Sequence, residues 1–147
     1  MTPIKLIIII TAIFFIGSMS SCMDKKTSVE QTIMNLDKAG WEAWKNNDGT
    51  WFEKNTTKNF TSISASGVGN KEQVINSTIN DCKVDHYNLG EMEFQHLSDT
   101  SVVLTYIVDQ EGVCGGVKLD SKIRVSAHYI KQNKQWLEEL YIESKIE

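Results

Sequence analysis

The sequence contains very little proline: Pro3 is the only one in 147 residues, and it stands near the amino terminus. It also contains no internal repeat and no low-complexity tract. Proline-rich and repeat architectures are therefore excluded. Beyond the amino terminus the chain has ordinary composition with clear helix and strand patterns, and its length suits a single domain with a hydrophobic core.

A long apolar run is also lacking, and this absence shapes the interpretation of the amino terminus. After Lys5, the run from Leu6 to Ile16 has about eleven residues, whereas a membrane-spanning helix needs roughly 20. Its length fits the apolar core of an export signal. The run leads to Met19-Ser20-Ser21-Cys22, which resembles the lipobox of bacterial lipoproteins. An ordinary secretory signal with an incidental Cys22 is the alternative.

The lipobox resemblance implies a division of the chain and a location. Residues 1–21 would be the signal peptide, residues 22–27 a lipid-anchored tether, and residues 28–147 the working domain. Acylation of Cys22 would hold the domain to the lipid bilayer, since a diacyl group and an amide-linked chain together suffice for stable anchoring. The expected location is the bacterial cell envelope, facing the periplasm or the exterior.

Basic residues are scarce and scattered. Without residues 1–21 the chain has 14 basic against 19 acidic residues, a formal net charge of −5. Nucleic-acid binding depends on clustered Lys and Arg that neutralise phosphates. We therefore expect no nucleic-acid partner.

Helix-start patterns dominate the first half of the domain. Thr27 with Glu30, and Ser28 with Gln31, have capping-box spacing. An apolar stripe at helical spacing then runs along Val29, Ile33, Leu36, Gly40 and Trp44. Thr50 and Glu53 repeat the capping pattern and predict a second, short helix. Asn70 predicts the cap of a third helix that covers Lys71 to about Asn80.

The second half of the domain has strand character. A brief strand over Phe60–Ser64 precedes the third helix, and four longer segments rich in β-branched and aromatic residues follow it. The four predicted strands cover residues 82–97, 101–110, 118–131 and 135–146, separated by hairpin-length turns. Gly90 predicts a bulge or a bend in the first of them. The expected class is α+β, with three helices packed on one strongly curved antiparallel sheet.

This order of elements resembles the cone-shaped nuclear-transport-factor-2-like fold, which is shared by ketosteroid isomerases, scytalone dehydratase and SnoaL-type cyclases. The resemblance covers Val29 to Glu143. It rests on a tryptophan-bearing first helix ending in Asn47-Asp48-Gly49, on Trp51-Phe52, on Gly67-x-Gly69, and on Trp136 after a tight turn. The resemblance implies a pocket between the helices and the sheet. It does not imply one activity, because this fold hosts enzymes, binding modules and assembly domains.

Cys82 and Cys114 are the only thiols besides Cys22. A hairpin centred near residue 99 places Cys114 opposite Val84, one diagonal step from Cys82, and Gly90 can shift that register by a residue. An exported domain permits a disulfide between them, and two buried free thiols are the alternative. The absence of Cys-x-x-Cys spacing argues against a thioredoxin-like redox site.

The three histidines have no His-x-His or His-x-x-x-His spacing, so the sequence predicts no metal site and implies no cofactor. A turn at Asn133 places His128 opposite Glu138. Such a pair is either a general base with its partner or a cross-strand charge pair on the solvent face. The second interpretation requires nothing beyond ordinary surface chemistry and is preferred.

The same register places Arg124 opposite Ile142, beside Tyr141 and Glu143. The side chains of Arg124, Tyr141 and Glu143 form a functional site if they point into the cone, and an ordinary polar surface if they point outward. With His128 they are the candidate catalytic residues. No aspartate matches a proton-transfer role of the related enzymes, so the leading expectation is a pocket that binds a small hydrophobic molecule or peptide. A proton-transfer enzyme (isomerase, dehydratase or cyclase) and a homodimeric assembly domain are the alternatives.

Overall fold

The computed structural model describes residues 28–146. Three helices and eight strands make up this part of the chain. The helices are α1 (Val29–Lys45), α2 (Gly49–Asn55) and α3 (Lys71–Asn80). The strands are β1 (Thr56–Ser64), β2 (Gly67–Asn70), β3 (Cys82–Leu89), β4 (Glu93–Ser98), β5 (Ser101–Cys114), β6 (Val117–Lys118), β7 (Lys122–Gln132) and β8 (Gln135–Lys145). The predicted export signal, the tether and Cys22 lie outside the described residues. No helix within residues 28–146 has the length and apolarity to cross a membrane.

Local capping chemistry sets the helix starts. The Ser28 hydroxyl accepts a hydrogen bond from the Gln31 backbone N–H at 3.1 Å, as the sequence predicts. Asn70 and Gln73 form a reciprocal capping box, and α3 covers the predicted residues. The predicted cap of α2 is wrong. Asp48 caps this helix instead, because its carboxylate accepts from the Thr50 backbone N–H.

The strands form one strongly curled sheet in the order β2-β1-β8-β7-β5-β3. The strands β4 and β6 also pair with β5. Most neighbours are antiparallel, as predicted, but β1 pairs with β8 in parallel and makes the sheet mixed. The α+β class and the three helices on a curved sheet are confirmed.

The strand bounds correct several details of the sequence-based prediction. The predicted strand over residues 82–97 is two strands, β3 and β4, because the chain leaves the ladder from Gly90 to Met92. The predicted loop after residue 110 is wrong, since β5 continues to Cys114. The predicted break at Gly67–Gly69 is the short strand β2, which pairs with β1.

The core lies between α1 and the concave face of β5 and β7. Its members are buried side chains at alternate positions of the two strands and on one stripe of α1, together with one tryptophan of β8. They are Ile33, Trp41, Val102, Leu104, Tyr106, Val108, Ile123, Val125, Ala127, Tyr129 and Trp136. Alternation of buried and exposed residues along β5 and β7 is the pattern of a sheet with one packed face.

Candidate functional site

A pocket of about 630 Å³ lies between the helices and the concave face of the sheet. Aromatic side chains from α1, α2 and β1 form much of its wall: Trp41, Trp44, Trp51, Phe52 and Phe60. Such a lining is typical of sites for small apolar molecules, in which a few polar groups fix the orientation of the ligand. The polar groups of this pocket come from several elements, and the acidic ones lie on α1, on β8 and before β7.

A bulge in β8 decides which of its side chains enter the pocket. Tyr129 pairs with Glu138, whereas the preceding His128 pairs with Leu140, so Glu139 is the additional residue. An extra residue reverses the alternation of faces downstream of it. Glu138 before the bulge and Tyr141 after it therefore share the concave face.

Glu138 lies in the wall of the pocket with 4 % of its surface exposed. Among residues 28–146, no donor hydrogen-bonds to its carboxyl group, and the inward residues beside it on β7 are apolar or aromatic. Burial, reinforced by the nearby carboxylate of Asp37, raises the pKa of Glu138 well above its ordinary value. A buried carboxylate without a partner is costly, which is why burial favours the protonated form of Glu138.

Asp37 is the polar centre of α1. Its carboxylate accepts hydrogen bonds from the hydroxyl groups of Tyr106 at 2.7 Å and Tyr129 at 2.9 Å. The indole N–H of Trp41 donates in turn to the Tyr106 oxygen. Burial raises the pKa of Asp37 from 3.8 to about 6, although the two hydroxyl donors oppose the shift. These bonds hold α1 against β5 and β7 and leave little freedom to the carboxylate.

Tyr141 and Glu143 form a second polar pair on the concave face. The Tyr141 hydroxyl donates to Glu143 Oε2 at 3.2 Å, and both residues line the pocket. Burial raises the pKa values of both groups, and the hydrogen bond from Tyr141 partly offsets the shift at Glu143. These two predicted candidates therefore belong to the pocket.

The other two predicted candidates lie on the opposite, convex face. Arg124 pairs with Ser144 rather than Ile142, and its side chain is exposed. His128 does not pair with Glu138. Its Nδ1 lies 3.5 Å from Glu139 Oε2, and its Nε2 lies 2.8 Å from Ser101 Oγ. The predicted register is wrong by one residue already at the two-residue turn of Asn133 and Lys134, and the bulge shifts β8 by one more. The four candidates therefore do not form one site.

Gln110 contributes a further unsatisfied group. Its side-chain N–H donates to the Asp120 backbone oxygen at 3.0 Å, which fixes the amide. Its Oε1 is buried and has no hydrogen-bond partner within the described part of the chain. Gln110 lines the pocket, but this oxygen is itself closed to solvent, so a ligand could reach it only after the side chain moves.

Cys82 and Cys114 form a disulfide that ties the start of β3 to the end of β5. The two residues are direct cross-strand partners. The predicted proximity is confirmed, but the predicted partner of Cys114, Val84, is wrong. The register near the β4–β5 turn is as predicted, and it shifts between Val84 and His86 and across the interruption after Leu89. Cys114 lines the pocket, so the disulfide also fixes part of its rim.

No group of three or more His, Cys, Asp or Glu residues among residues 28–146 is arranged to hold a metal ion. The residues that sequence reasoning missed are Asp37 and Gln110. Asp37 carried a usable signal, because it lies four residues after Ile33 and four before Trp41, within the apolar stripe of α1. Glu138 was considered only as the partner of His128 on the solvent face, because the predicted β7–β8 register was one residue off.

The fold is that of nuclear-transport-factor-2-like proteins. A protein of this kind from Cytophaga hutchinsonii superimposes with a TM-score of 0.75 at 17 % identity, over 81 % of this chain and 99 % of the other. A second, from Rhodospirillum rubrum, gives 0.72 at 14 % identity, over 78 % and 98 %. A candidate ketosteroid isomerase from Parabacteroides distasonis gives 0.63 at 17 % identity, over 84 % and 94 %. No protein-family profile and no curated protein matches the sequence.

Proposed function

We propose that this domain binds a small, largely apolar molecule in the pocket between its helices and the concave face of its sheet. The volume of about 630 Å³ suits a small organic molecule, and seven aromatic side chains are among those that line it. The observation that carries the proposal is the carboxyl group of Glu138, which lines the pocket and has no partner among residues 28–146. Buried polar groups are normally satisfied, and a bound ligand would satisfy this one.

Saturable binding of N-phenyl-1-naphthylamine, an uncharged fluorescent probe, tests the proposal. Three of the tryptophans line the pocket, so energy transfer from them to the bound probe reports its position. Ser62 lines the pocket opposite Tyr141, whereas Ser126 is half-buried on the convex face, opposite Ile142. We expect one probe per chain, loss of binding in Ser62→Trp, and unchanged binding in the matched control Ser126→Trp.

Two results would contradict this proposal. One is the absence of saturable binding to the folded wild-type protein. The other is equal binding by the Ser62→Trp and Ser126→Trp variants, which would place the probe elsewhere. Circular dichroism of both variants verifies that each is folded. This control is needed because an added tryptophan destabilises the fold where the space is already filled by side chains.

A proton-transfer enzyme is the second candidate function. The raised pKa of Glu138 inside an aromatic pocket favours it, since buried carboxyl groups with raised pKa values act as general acids and bases near neutral pH. Isomerisation of an unsaturated ketosteroid, followed by the absorbance of its conjugated product, is the assay. Turnover that Glu138→Gln abolishes would support this candidate, and turnover no faster than the uncatalysed reaction would contradict it for this substrate class.

We also propose that the domain is an envelope lipoprotein anchored through Cys22. The supporting observation is the sequence pattern of residues 5–22, a charged residue, a short apolar run and a lipobox-like end. Expression in a bacterium with a labelled fatty acid tests it. Label in the membrane fraction that disappears in Cys22→Ala supports the anchor, and an unlabelled, membrane-free product contradicts it. Homodimerisation through the sheet stays a prediction, to be tested by light scattering.

A further inference from the structure

Acidic side chains outnumber basic ones in the lining of the pocket. Four acidic side chains line it: Asp37, Asp120, Glu138 and Glu143. Lys118 is the one basic side chain among the lining residues, and it is exposed to solvent. An anionic ligand would therefore enter a space of negative potential without a buried cation to compensate its charge, which is unfavourable.

Three of the four acidic groups already have partners. Asp37 accepts from two tyrosine hydroxyls, and Glu143 accepts from Tyr141. Asp120 lies 3.1 Å from the ammonium group of Lys145. Of the four, only Glu138 has no hydrogen-bonding or ionic partner among residues 28–146, and no more than 4 % of its surface is exposed. A positively charged group of a ligand would therefore find its partner in this one carboxyl group on the pocket wall.

The surrounding rings favour a positive charge for a separate reason. Trp41, Trp44, Trp51, Tyr129 and Tyr141 line the same pocket. The faces of aromatic rings attract cations, and tryptophan does so most strongly. A cation held near Glu138 would also favour its carboxylate form and offset the burial that raises its pKa. An apolar body attached to that cation would occupy the aromatic remainder of the pocket.

From these contacts we infer that the ligand is an organic ammonium ion with an apolar body, whose N–H groups donate to the Glu138 carboxylate. This inference rests on the proposed function and adds the chemical class of the ligand. The pocket selects such amines against carboxylates of the same shape, because it provides acceptors and negative charge but no buried cation.

Three probes of one shape test the inference: 2-phenylethylamine, 2-phenylethanol and phenylacetate. Their charges at neutral pH are positive, zero and negative. Affinities are measured by displacement of N-phenyl-1-naphthylamine and by calorimetry. We expect the amine to bind about tenfold or more tightly than the alcohol, as a charge-assisted hydrogen bond in a buried site would provide, and phenylacetate to bind most weakly.

Neighbouring glutamates provide matched variants. Glu138→Gln keeps the shape of the side chain and should remove the preference for the amine, while the affinity for the alcohol changes less than threefold. Glu139→Gln alters the adjacent glutamate, which lies on the convex face beside His128, and should leave the preference intact. Glu138→Asp keeps the charge and should retain a reduced preference even if the glutamine variant folds poorly.

Each outcome separates the inference from the proposed function. If the naphthylamine probe binds but 2-phenylethylamine binds no better than the alcohol or phenylacetate, or not at all, the inference is wrong. The proposed binding of apolar molecules in the pocket is then still supported. The same holds if the preference survives in folded Glu138→Gln. If neither the naphthylamine probe nor any of the three compounds binds, the proposed function fails as well.

Discussion

Asp37 should make the stability of the fold depend on pH in a way that one substitution removes. Its carboxyl group is buried between Tyr106 and Tyr129, and burial raises its pKa from 3.8 to about 6. A raised pKa means that the folded protein binds this proton more tightly than the unfolded chain. The resulting stabilisation is fully present below about pH 4 and is lost as the pH rises through about 6.

The size of the effect follows from the shift. A change of about two pKa units corresponds to about 3 kcal/mol at 1.36 kcal/mol per unit. This is a large share of the stability of a small domain. Asp37→Asn has no proton to exchange. Its amide accepts one tyrosine hydroxyl through Oδ1, and the lost second bond adds a penalty that does not vary with pH.

Urea unfolding of both proteins at a series of pH values measures the effect. The quantity to compare is the free energy of unfolding of the wild type minus that of Asp37→Asn. This subtraction cancels the contributions of Glu143 and the exposed carboxylates, and it retains the part of the Glu138 shift that the Asp37 carboxylate causes. We expect the difference to fall by about 3 kcal/mol between about pH 3 and pH 7. A difference that stays constant over this range would refute the burial of Asp37 as the cause.

Three further changes test the packing around the pocket by urea unfolding. Replacing both Cys82 and Cys114 with serine should cost about 3–4 kcal/mol, since the crosslink spans 32 residues; an unchanged midpoint without reductant would contradict this. Leu104→Ala should cost about 3 kcal/mol and Ile107→Ala less than about 1, because Leu104 is fully buried while Ile107 faces outward; equal costs would refute the assignment of faces. Gly112→Ala should cost about 1–3 kcal/mol, because its Cβ would lie 2.5 Å from a backbone oxygen of β3; a neutral effect would show that β3 and β5 are less closely paired.

Local signals in the sequence predicted the helices well. The caps at Ser28 and Asn70 are short-range hydrogen bonds between residues three apart, so the residues that form them are visible in the sequence. The start of α2 was misplaced because Asp48 and Thr50 both have capping chemistry, and Thr50 itself hydrogen-bonds to the Asp48 carboxylate. The order of the predicted helices and strands was enough to identify the class of fold.

The candidate site was predicted only in part, because it depends on contacts between distant strands. The two-residue turn at Asn133 and Lys134 sets Glu138 opposite Tyr129 and so turns it inward, and a prediction that was one residue off placed it on the other face. The bulge at Glu139 then brings Tyr141 to the same face as Glu138, and no spacing signal marks that bulge. The parallel pairing of β1 with β8, with Thr56 opposite Glu138, joins residues 82 positions apart. Asp37 could have been found, since a carboxyl group within an apolar helical stripe must be neutralised, hydrogen-bonded or both.

A crystal structure of the protein grown with 2-phenylethylamine is the most direct test of the account. We predict the phenyl ring among the tryptophans of α1 and α2, with the nitrogen within hydrogen-bonding distance of a Glu138 carboxylate oxygen. A hollow filled by the protein's own side chains, or an amine bound only to the convex face, would contradict it.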